Sequence, residues 1–244
     1  MIRRSIAIIV GLSSVGLSLL GASAPRPAYV FDAPAGIRPA GPLSSGNAFA
    51  RILPSGRIIN PIGKSVVVGM NTLGVALTPD GRYAVVSNDD ERQGSTVSLL
   101  DGATHGGYSL TVVDTQTMTV VDRYQNAKEA FFEGIVALSD PGDPTTTLVF
   151  VSGGSSNAIF VFDLDADGHL TPDAHHSIGA AAATEPAFAD FQLAFPASLI
   201  ASADGAHLYV VNALAGSVST IDVQTRALLG VSPSVGFFPH GVAL

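Results

Sequence analysis

Short apolar runs, separated by polar residues or by Gly and Pro, follow one another along most of the chain. Because the runs are short and rich in Val, and because the residues between them favour tight turns, the pattern predicts β-strands. The first group holds four predicted strands, which are Leu73–Leu77, Tyr83–Ser87, Ser109–Asp114 and Thr119–Arg123. We expect these segments to form one antiparallel sheet, with Leu73–Leu77 as its innermost strand.

The same order of elements recurs further along the chain. The later copies comprise Glu133–Ser139, Leu148–Ser152 and Ala158–Asp163, then Phe195–Gly205, Ala206–Asn212 and Ser217–Asp222, and finally Phe238–Leu244, where the chain stops. The interval from Ala201 to Leu244 fits a minimal repeat of about 40–45 residues. The longer intervals carry insertions at Asp89–Gly107 and Thr171–Phe191, which we predict to be surface loops.

Turn residues separate the predicted strands at matching positions. Thr78–Gly81 and Ser202–Gly205 both place Asp-Gly where a hairpin closes. Asp114 and Asp222 end the third strand of their copies, where an aspartate starts a turn by accepting backbone N–H groups. One four-stranded sheet cannot bury both of its faces, so neighbouring copies must stack. The sequence therefore predicts an all-β fold, a partial β-propeller of four-stranded antiparallel blades.

Three motifs carry a family resemblance, namely P-x-G-V-A-L, D-G-x-x-x-Y-V-x-N and S-V-S-x-I-D, which are best matched at Pro239–Leu244, Asp204–Asn212 and Ser217–Asp222. The combination resembles the YVTN-type (YncE-like) β-propeller repeat, over Asn47–Leu244. The resemblance implies a seven-bladed family, of which this chain holds about three to four blades. The Trp-Asp signature of WD40 blades is missing, because the chain has no Trp.

The segment Arg51–Lys64, before the first repeat, is similar to the start of exported bacterial proteins that join such a propeller to a C-terminal alkaline-phosphatase-like phosphoesterase domain. That resemblance places any catalytic metal domain beyond Leu244.

Ala48–Ile52 and Ser65–Val68 are strand-like and precede the first innermost strand. We expect them to be outer strands of the last blade of the ring.

The first 24 residues have the layout of a secretory signal peptide. Arg3 and Arg4 form a positive start, Ser5–Leu20 is apolar, and Ala22–Ala24 is a small-residue cleavage site. The apolar run is shorter than the ~20 residues of a membrane span. We therefore expect an exported protein, periplasmic or extracellular, whose mature chain begins near Pro25 and does not associate with a membrane.

The predicted organisation is a signal peptide at 1–24, a Pro-, Ala- and Gly-rich linker at 25–46 and an incomplete propeller at 47–244. The formal net charge of −8 leaves no basic surface for a phosphate backbone, which excludes a nucleic-acid partner. The absence of Cys excludes a disulfide framework and a Cys-ligated metal.

One D-x-D-x-D-G run has the spacing of a calcium loop, formed by Asp163, Asp165, Asp167 and Gly168. The twelfth position of that loop is Ala174 instead of the bidentate Glu that closes such sites. Asp163 also aligns with the turn aspartates of the other copies. We predict that these carboxylates bind no metal, and we predict no catalytic, cofactor-binding or metal-binding residue elsewhere in this chain.

Histidines and loops supply the remaining candidates. His175 and His176 follow Asp173 and are interpreted as part of an exposed polar loop, since zinc sites commonly use separated histidines on ordered elements. His240 precedes Gly241 in a predicted innermost strand and could face the axis. A packed or solvated histidine is the expectation there, and a ligand is the alternative.

Loops on one face of a propeller often carry binding sites. The charged run Ser87–Arg92 and the rest of Asp89–Gly107 are therefore our candidates for contact with a protein or small-molecule partner. Ser152–Ser156 is interpreted as a turn between strands, because a nucleophile elbow requires a strand-to-helix turn.

Three functions remain open from the sequence. The first is an exported, non-catalytic binding or scaffold module, the N-terminal part of a larger phosphoesterase-like protein. The second is a lactonase-like enzyme with its site in the propeller channel, which needs Glu, Asp, Asn or His from several blades. The third is a cell-surface structural repeat protein. The fold alone does not choose among them.

Overall fold

The structure is a computed structural model, and it describes residues 41–42, 50–53, 56–89, 108–126, 128–180 and 193–244. The predicted signal peptide and nearly all of the predicted linker lie outside the described residues. The chain divides into two compact units, with the boundary after Gly63. In the described part of the chain, no helix is long and apolar enough to cross a bilayer.

The first unit contains a small antiparallel sheet of three strands in the order β1-β2-β3, which are β1 (Gly41–Pro42), β2 (Arg51–Ile52) and β3 (Ile58–Ile59). The described residues of the second unit form three four-stranded antiparallel sheets, here called blades one, two and three. In each blade the strands are hydrogen-bonded in sequence order.

Blade one consists of β4 (Thr72–Leu77), β5 (Tyr83–Asn88), β6 (Tyr108–Asp114) and β7 (Thr119–Asn126). Blade two consists of β8 (Ile135–Ser139), β9 (Thr147–Ser152), β10 (Ala158–Leu164) and β11 (Leu170–Gly179). Blade three consists of β12 (Pro196–Ala201), β13 (His207–Asn212), β14 (Ser217–Asp222) and β15 (Leu228–Val231). The first strands β4, β8 and β12 are neighbours across the blades, which makes them the innermost strands. The predicted all-β partial β-propeller is confirmed, and so is the predicted sheet of blade one.

The core lies between the blades. Val85, Val112 and Val151 are buried between blades one and two, whereas Phe150 and Val210 are buried between blades two and three. Alternate residues of β9 thus point to opposite neighbours, and both faces of blade two are covered. Stacking removes the apolar faces that an isolated sheet would expose to water.

The repeat motif has a structural role, shown by its asparagines. At the end of β5, the Asn88 side-chain amide donates to the hydroxyls of Ser109 and Thr111 on β6. At the matching place in blade three, Asn212 donates to Ser217 and Ser219. Both asparagines are fully buried, so these bonds satisfy side-chain NH2 groups that would otherwise be costly to bury.

The segment Ser65–Val68 is not a strand, so its predicted role as an outer strand of the last blade is wrong. Its Val68 carbonyl instead accepts a hydrogen bond of 2.7 Å from the Thr111 hydroxyl of blade one. Of the companion segment Ala48–Ile52, the described residues are 50–52, and Arg51–Ile52 pairs only with β1 and β3 in the small sheet.

The predicted loop Thr171–Phe191 is wrong over its first part, because the strand β11 continues through Gly179. β11 lies at the outer edge of blade two, and most of its side chains face solvent, so it lacks an apolar pattern. A bulge also interrupts its pairing, since Phe160 pairs with Ser177 but Phe162 pairs with Pro172.

Candidate functional site

The innermost strands begin with the same backbone geometry in several copies. Asn71, Phe195 and Phe238 have φ values of 50°, 55° and 49°, and each lies three residues before the small residue of its copy. The repeat-equivalent small residues are Gly74, Gly134, Ser198 and Gly241. Although Phe238–Leu244 contains no strand, it therefore begins like the innermost strands of the other copies.

The small residues let the innermost strands approach closely. A Cβ atom on Gly74 would lie 2.2 Å from the Glu133 carbonyl oxygen of the next blade. A Cβ atom on Gly134 would lie 2.3 Å from the Ala197 carbonyl oxygen. The residues before the small residues, at what we call the axial positions, are consequently gathered at one end of the propeller. They are Leu73, Glu133, Ala197 and His240.

Two of the axial side chains meet. His240 Nδ1 lies 2.9 Å from Glu133 Oε1, and the side chains are 69% and 29% exposed. The residue at the intervening axial position is Ala197, whose methyl group leaves room for this contact between non-adjacent copies. Sequence analysis singled out His240 but missed Glu133. Aligning the copies on their small residues would have revealed the pair, because both occupy the same repeat position.

The pair provides a carboxylate and an imidazole at hydrogen-bonding distance, which can accept and donate protons or hold a polar ligand. A metal site of the usual kind needs further ligands. In the described residues, no three His, Asp or Glu side chains come together in a way that could hold a metal ion.

The aspartates of the D-x-D-x-D-G run point to different partners. Asp165 Oδ1 accepts the backbone N–H groups of Asp167 and His169, at 2.9 Å each, so this carboxylate organises the turn after β10. Asp163 instead faces a buried group of charges. Burial and the charge of Asp173 raise its pKa above the ordinary value of 3.8, although the Arg226 guanidinium opposes this rise. This arrangement does not test metal binding, so the absence of a metal site at these aspartates remains a prediction.

That buried group of charges joins blades two and three. Arg226, in the turn between β14 and β15, has its Nη2 atom 3.0 Å from Asp173 Oδ2 and 3.9 Å from Asp140 Oδ2. The Arg226 and Asp173 side chains are only 9% and 8% exposed. Removing one partner of such a buried pair would leave the other charge uncompensated and destabilise the fold. We therefore interpret this cluster as a structural contact between the blades.

The interpretation of His175 and His176 as an exposed loop is wrong for His176. Both histidines belong to β11, at its bulge. His176 turns inward, where its Nδ1 lies 2.8 Å from the Val161 carbonyl oxygen and its Nε2 lies 3.1 Å from Glu129 Oε1. Its ring centroid is 4.8 Å from that of Phe162, edge to face. The bulge interrupts the alternation of inward and outward side chains along β11, so the sequence pattern gave no indication that His176 turns inward.

Ser152–Ser156 forms the predicted turn between strands, with a 3-10 turn at Gly154–Ser156 between β9 and β10. The Ser152 hydroxyl is buried and accepts the Gly134 N–H at 2.9 Å, so it supports the innermost strand. Of the predicted partner loop Asp89–Gly107, only Asp89 is described, and its N–H donates to the Asn71 carbonyl oxygen. The rest of that prediction lies outside the described residues.

Comparisons with known proteins give structural likeness only. No protein-family model matches the chain, and no curated protein matches its sequence. The periplasmic gluconolactonase PpgL of Pseudomonas aeruginosa is similar at 20% identity over 77% of this chain and 50% of its own, with a TM-score of 0.48. A functionally unknown protein of Desulfotomaculum acetoxidans is similar at 17% identity over 75% of this chain and 47% of its own, with a TM-score of 0.48.

A third solved structure, from Bacteroides uniformis, is provisionally described as a 6-phosphogluconolactonase. It is similar at 15% identity over 68% of this chain and 45% of its own, with a TM-score of 0.44. The chain thus spans half or less of the length of these three structures. At these identities the likeness does not identify a function. From its own sheets, the described chain is a partial β-propeller of three complete four-stranded blades.

Proposed function

We propose that the chain is an exported binding module that holds a protein or small-molecule partner at the axial end of a β-propeller. The observation that carries this proposal is the contact between Glu133 and His240, two partly exposed polar side chains from non-adjacent copies. Glu133 adjoins an innermost strand that buried interfaces hold in place, and His240, at the same repeat position, adds an exposed imidazole, so the pair forms an accessible recognition surface.

The stacking of the blades supports a scaffold role for the rest of the unit. The close approach at Gly134 and the hydrogen bond from Gly134 to Ser152 fix the backbone that carries Glu133. Ser87 adds a bond of 2.7 Å to the Phe132 carbonyl oxygen, between blades one and two. Because the backbone of Glu133 is fixed in this way, less conformational entropy is lost when this residue binds a partner.

The same pair favours a second candidate, a lactonase-like enzyme with its site in the channel. A carboxylate next to an imidazole is a common general acid–base arrangement. Opening a lactone also requires stabilisation of the developing oxyanion, which needs further groups close to the pair. The two candidates therefore differ in whether a lactone is hydrolysed.

A crosslinking experiment tests the binding function, and it benefits from a chain that contains no native Cys. Leu73→Cys places a photoreactive label at an axial position without removing the pair, and Leu229→Cys places it on the exposed outer strand β15. In the exported fraction, with the mature chain beginning at Pro25, we expect a discrete adduct from the axial label only. The additional change Glu133→Gln should abolish it.

The outcome that contradicts the binding function is an axial label that gives no adduct or one that is indifferent to Glu133→Gln. Hydrolysis of D-glucono-1,5-lactone distinguishes the enzyme candidate. A binding module gives no rate above buffer, with or without added divalent metal ions. An enzyme gives a rate that falls at least about 100-fold in Glu133→Gln and His240→Asn but not in Asp204→Asn.

We also propose that this module precedes a phosphoesterase-like domain in a longer protein. The segment Arg51–Lys64 supports this, through its similarity to exported proteins of that organisation. The coding sequence after Leu244 provides the test. Further blades followed by a metal-binding phosphoesterase sequence are expected, whereas an unrelated domain or an immediate stop would contradict the proposal.

A further inference from the structure

A cavity of about 250 Å³ lies where blades one and two meet, at the end opposite to the axial positions. It is open to solvent on one side and lined by the hairpin between β4 and β5, the hairpin between β8 and β9, and the turn after β10. Ser139 lines the cavity and ends β8, whereas Glu133 precedes the same strand. The cavity is therefore separate from the Glu133–His240 pair, and a ligand bound in it would not touch that pair.

The walls of the cavity are held by hydrogen bonds. In the first hairpin, Asp80 Oδ1 accepts the Arg82 N–H at 3.0 Å and the Thr78 hydroxyl. Across the blades, the Tyr83 hydroxyl donates to the Ala166 carbonyl oxygen at 3.1 Å. Asp165 is fixed by the N–H groups of its own turn. These contacts hold the lining groups in place before any ligand arrives, which lowers the entropic cost of binding.

Several polar groups of the lining remain available. Arg82 lies over the Tyr83 ring at 5.2 Å, with its Nε 3.6 Å from Asp114 Oδ2. Among the described residues, its terminal N–H groups form no hydrogen bond, and its side chain is 50% exposed. Asp80 and Asp165 each use one carboxylate oxygen in a turn, so the other can accept from a ligand. The Ser139 and Thr147 hydroxyls also line the cavity and have no hydrogen-bond partner in the described part.

The Arg82 guanidinium is not required by the repeat. The hairpin of blade three has the same turn, in which Asp204 Oδ1 accepts from the Ser202 hydroxyl and the Ala206 N–H. At the position of Arg82 that hairpin has Ala206. The hairpin thus forms without the arginine, so the terminal N–H groups of Arg82 are not needed for the turn and can serve a ligand.

The lining selects a class of ligand by its charges. Two carboxylates disfavour an anion, and the guanidinium offsets part of their attraction for a cation. A neutral compound with several adjacent hydroxyls can donate to the carboxylates, accept from Arg82 and exchange hydrogen bonds with Ser139 and Thr147. A cavity of 250 Å³ is smaller than the ~300–1,000 Å³ of sites for drug-sized ligands and suits one sugar ring. We propose that this cavity binds a neutral polyhydroxyl compound of monosaccharide size.

Calorimetric titration of the full exported chain tests the site, with D-glucose, D-galactose, D-mannose and myo-inositol as separate titrants. At least one should bind saturably, with a Kd at or below about 1 mM, corresponding to roughly −4 kcal/mol. Arg82→Ala, Asp165→Asn and Thr147→Val should each weaken that binding about tenfold or more. Asp165→Asn retains the oxygen that accepts the turn N–H groups, and Arg82→Ala reproduces the residue of blade three, so both variants should fold.

Asp204→Asn is the matched control, since it changes the equivalent hairpin outside the cavity, and it should leave binding unchanged. The Glu133→Gln variant should also bind normally, which separates this site from the proposed axial function. The proposal is overturned if none of the four compounds binds in a saturable manner. It is also overturned if binding is unaffected by Arg82→Ala, or if glycine or inorganic phosphate binds more tightly than every one of the four.

Discussion

At the scale of single residues, Asp163 and Asp222 occupy the same position of the repeat in opposite surroundings. Asp222 accepts from the N–H and the hydroxyl of Thr225, and these bonds lower its pKa below the ordinary value of 3.8. Burial, followed by the charge of Asp173, raises the pKa of Asp163 above that value. The fold thus favours the ionised form of one aspartate and disfavours that of the other.

Asp163→Asn is therefore expected to stabilise the protein at neutral pH. Ionised Asp163 is less favourable in the folded chain than in the unfolded chain, so removing its charge should raise Tm at pH 7. As the pH falls below 3.8, Asp163 is protonated in both states and the gain should disappear. Thermal unfolding measured from pH 7 to about pH 3 checks both parts.

Asp222→Asn provides the comparison with the opposite sign. The lowered pKa of Asp222 means that its carboxylate contributes stability above pH 3.8, which is lost as the pH falls through the folded pKa. The variant should melt earlier than the wild type at pH 7 and converge with it in acid. A lower Tm for Asp163→Asn at pH 7 would show that its ionised carboxylate stabilises the fold.

Residue identity alone did not separate these environments. The repeat alignment correctly placed Asp163 with Asp114 and Asp222, and the register agrees, since each pairs with the second strand of its blade at the same level. The difference comes first from the burial of Asp163 and then from the charges of Asp173 and Arg226, which respectively raise and lower its pKa and are distant from each other in sequence. Their approach depends on the bulge in β11, for which a single sequence carries no pattern.

At the scale of elements, the close contact between innermost strands depends on glycine. We expect Gly134→Ala to destabilise the protein by about 1–3 kcal/mol, because the new Cβ would overlap the Ala197 carbonyl oxygen of the next blade. The Ala197 carbonyl lies at the bulge of β12, between the paired residues Pro196 and Leu199, so relieving the overlap requires the backbones of β8 and β12 to move apart. Urea unfolding at equilibrium measures the change.

Gly230→Ala on β15 is the matched control. A Cβ atom at Gly230 would meet nothing within 4 Å, so the free energy of unfolding should change by less than about 0.5 kcal/mol. Equal effects of the two substitutions would mean that the loss at Gly134 does not come from contact between blades.

Sequence reasoning found the elements where one face is buried and the turn residues are specific. The four strands of blade one and the first three of blade three agree closely with their predicted ranges, because their apolar residues alternate between Asp-Gly hairpins and aspartate turns. The predictions were wrong for segments that lack both a buried face and specific turn residues. β11 is a solvent-facing edge strand, whereas Ser65–Val68 is apolar but pairs with a side chain instead of a strand.

At the scale of the whole molecule, blade one has an innermost strand that is only half covered. Gly74 and Ala76 of β4 face blade two, whereas Val75 and Leu77 face away from it and are 64% and 60% exposed. Exposed apolar side chains on an innermost strand are unusual for a surface in water. In a propeller, such a face is covered by another blade.

We therefore expect residues 25–244, expressed alone, to self-associate through this face and to unfold with low cooperativity. The double change Val75→Lys and Leu77→Lys should shift the protein towards a monomer, because association would then bury charged side chains against an apolar surface. Leu229→Lys, at a residue 56% exposed on the outer strand β15, adds a similar charge elsewhere and should leave association unchanged. Light scattering coupled to size-exclusion chromatography, over a range of concentrations, measures the mass of each variant. A monomeric wild type with a single sharp unfolding transition would instead mean that this face is not a site of association, and that the three blades are stable without a further partner.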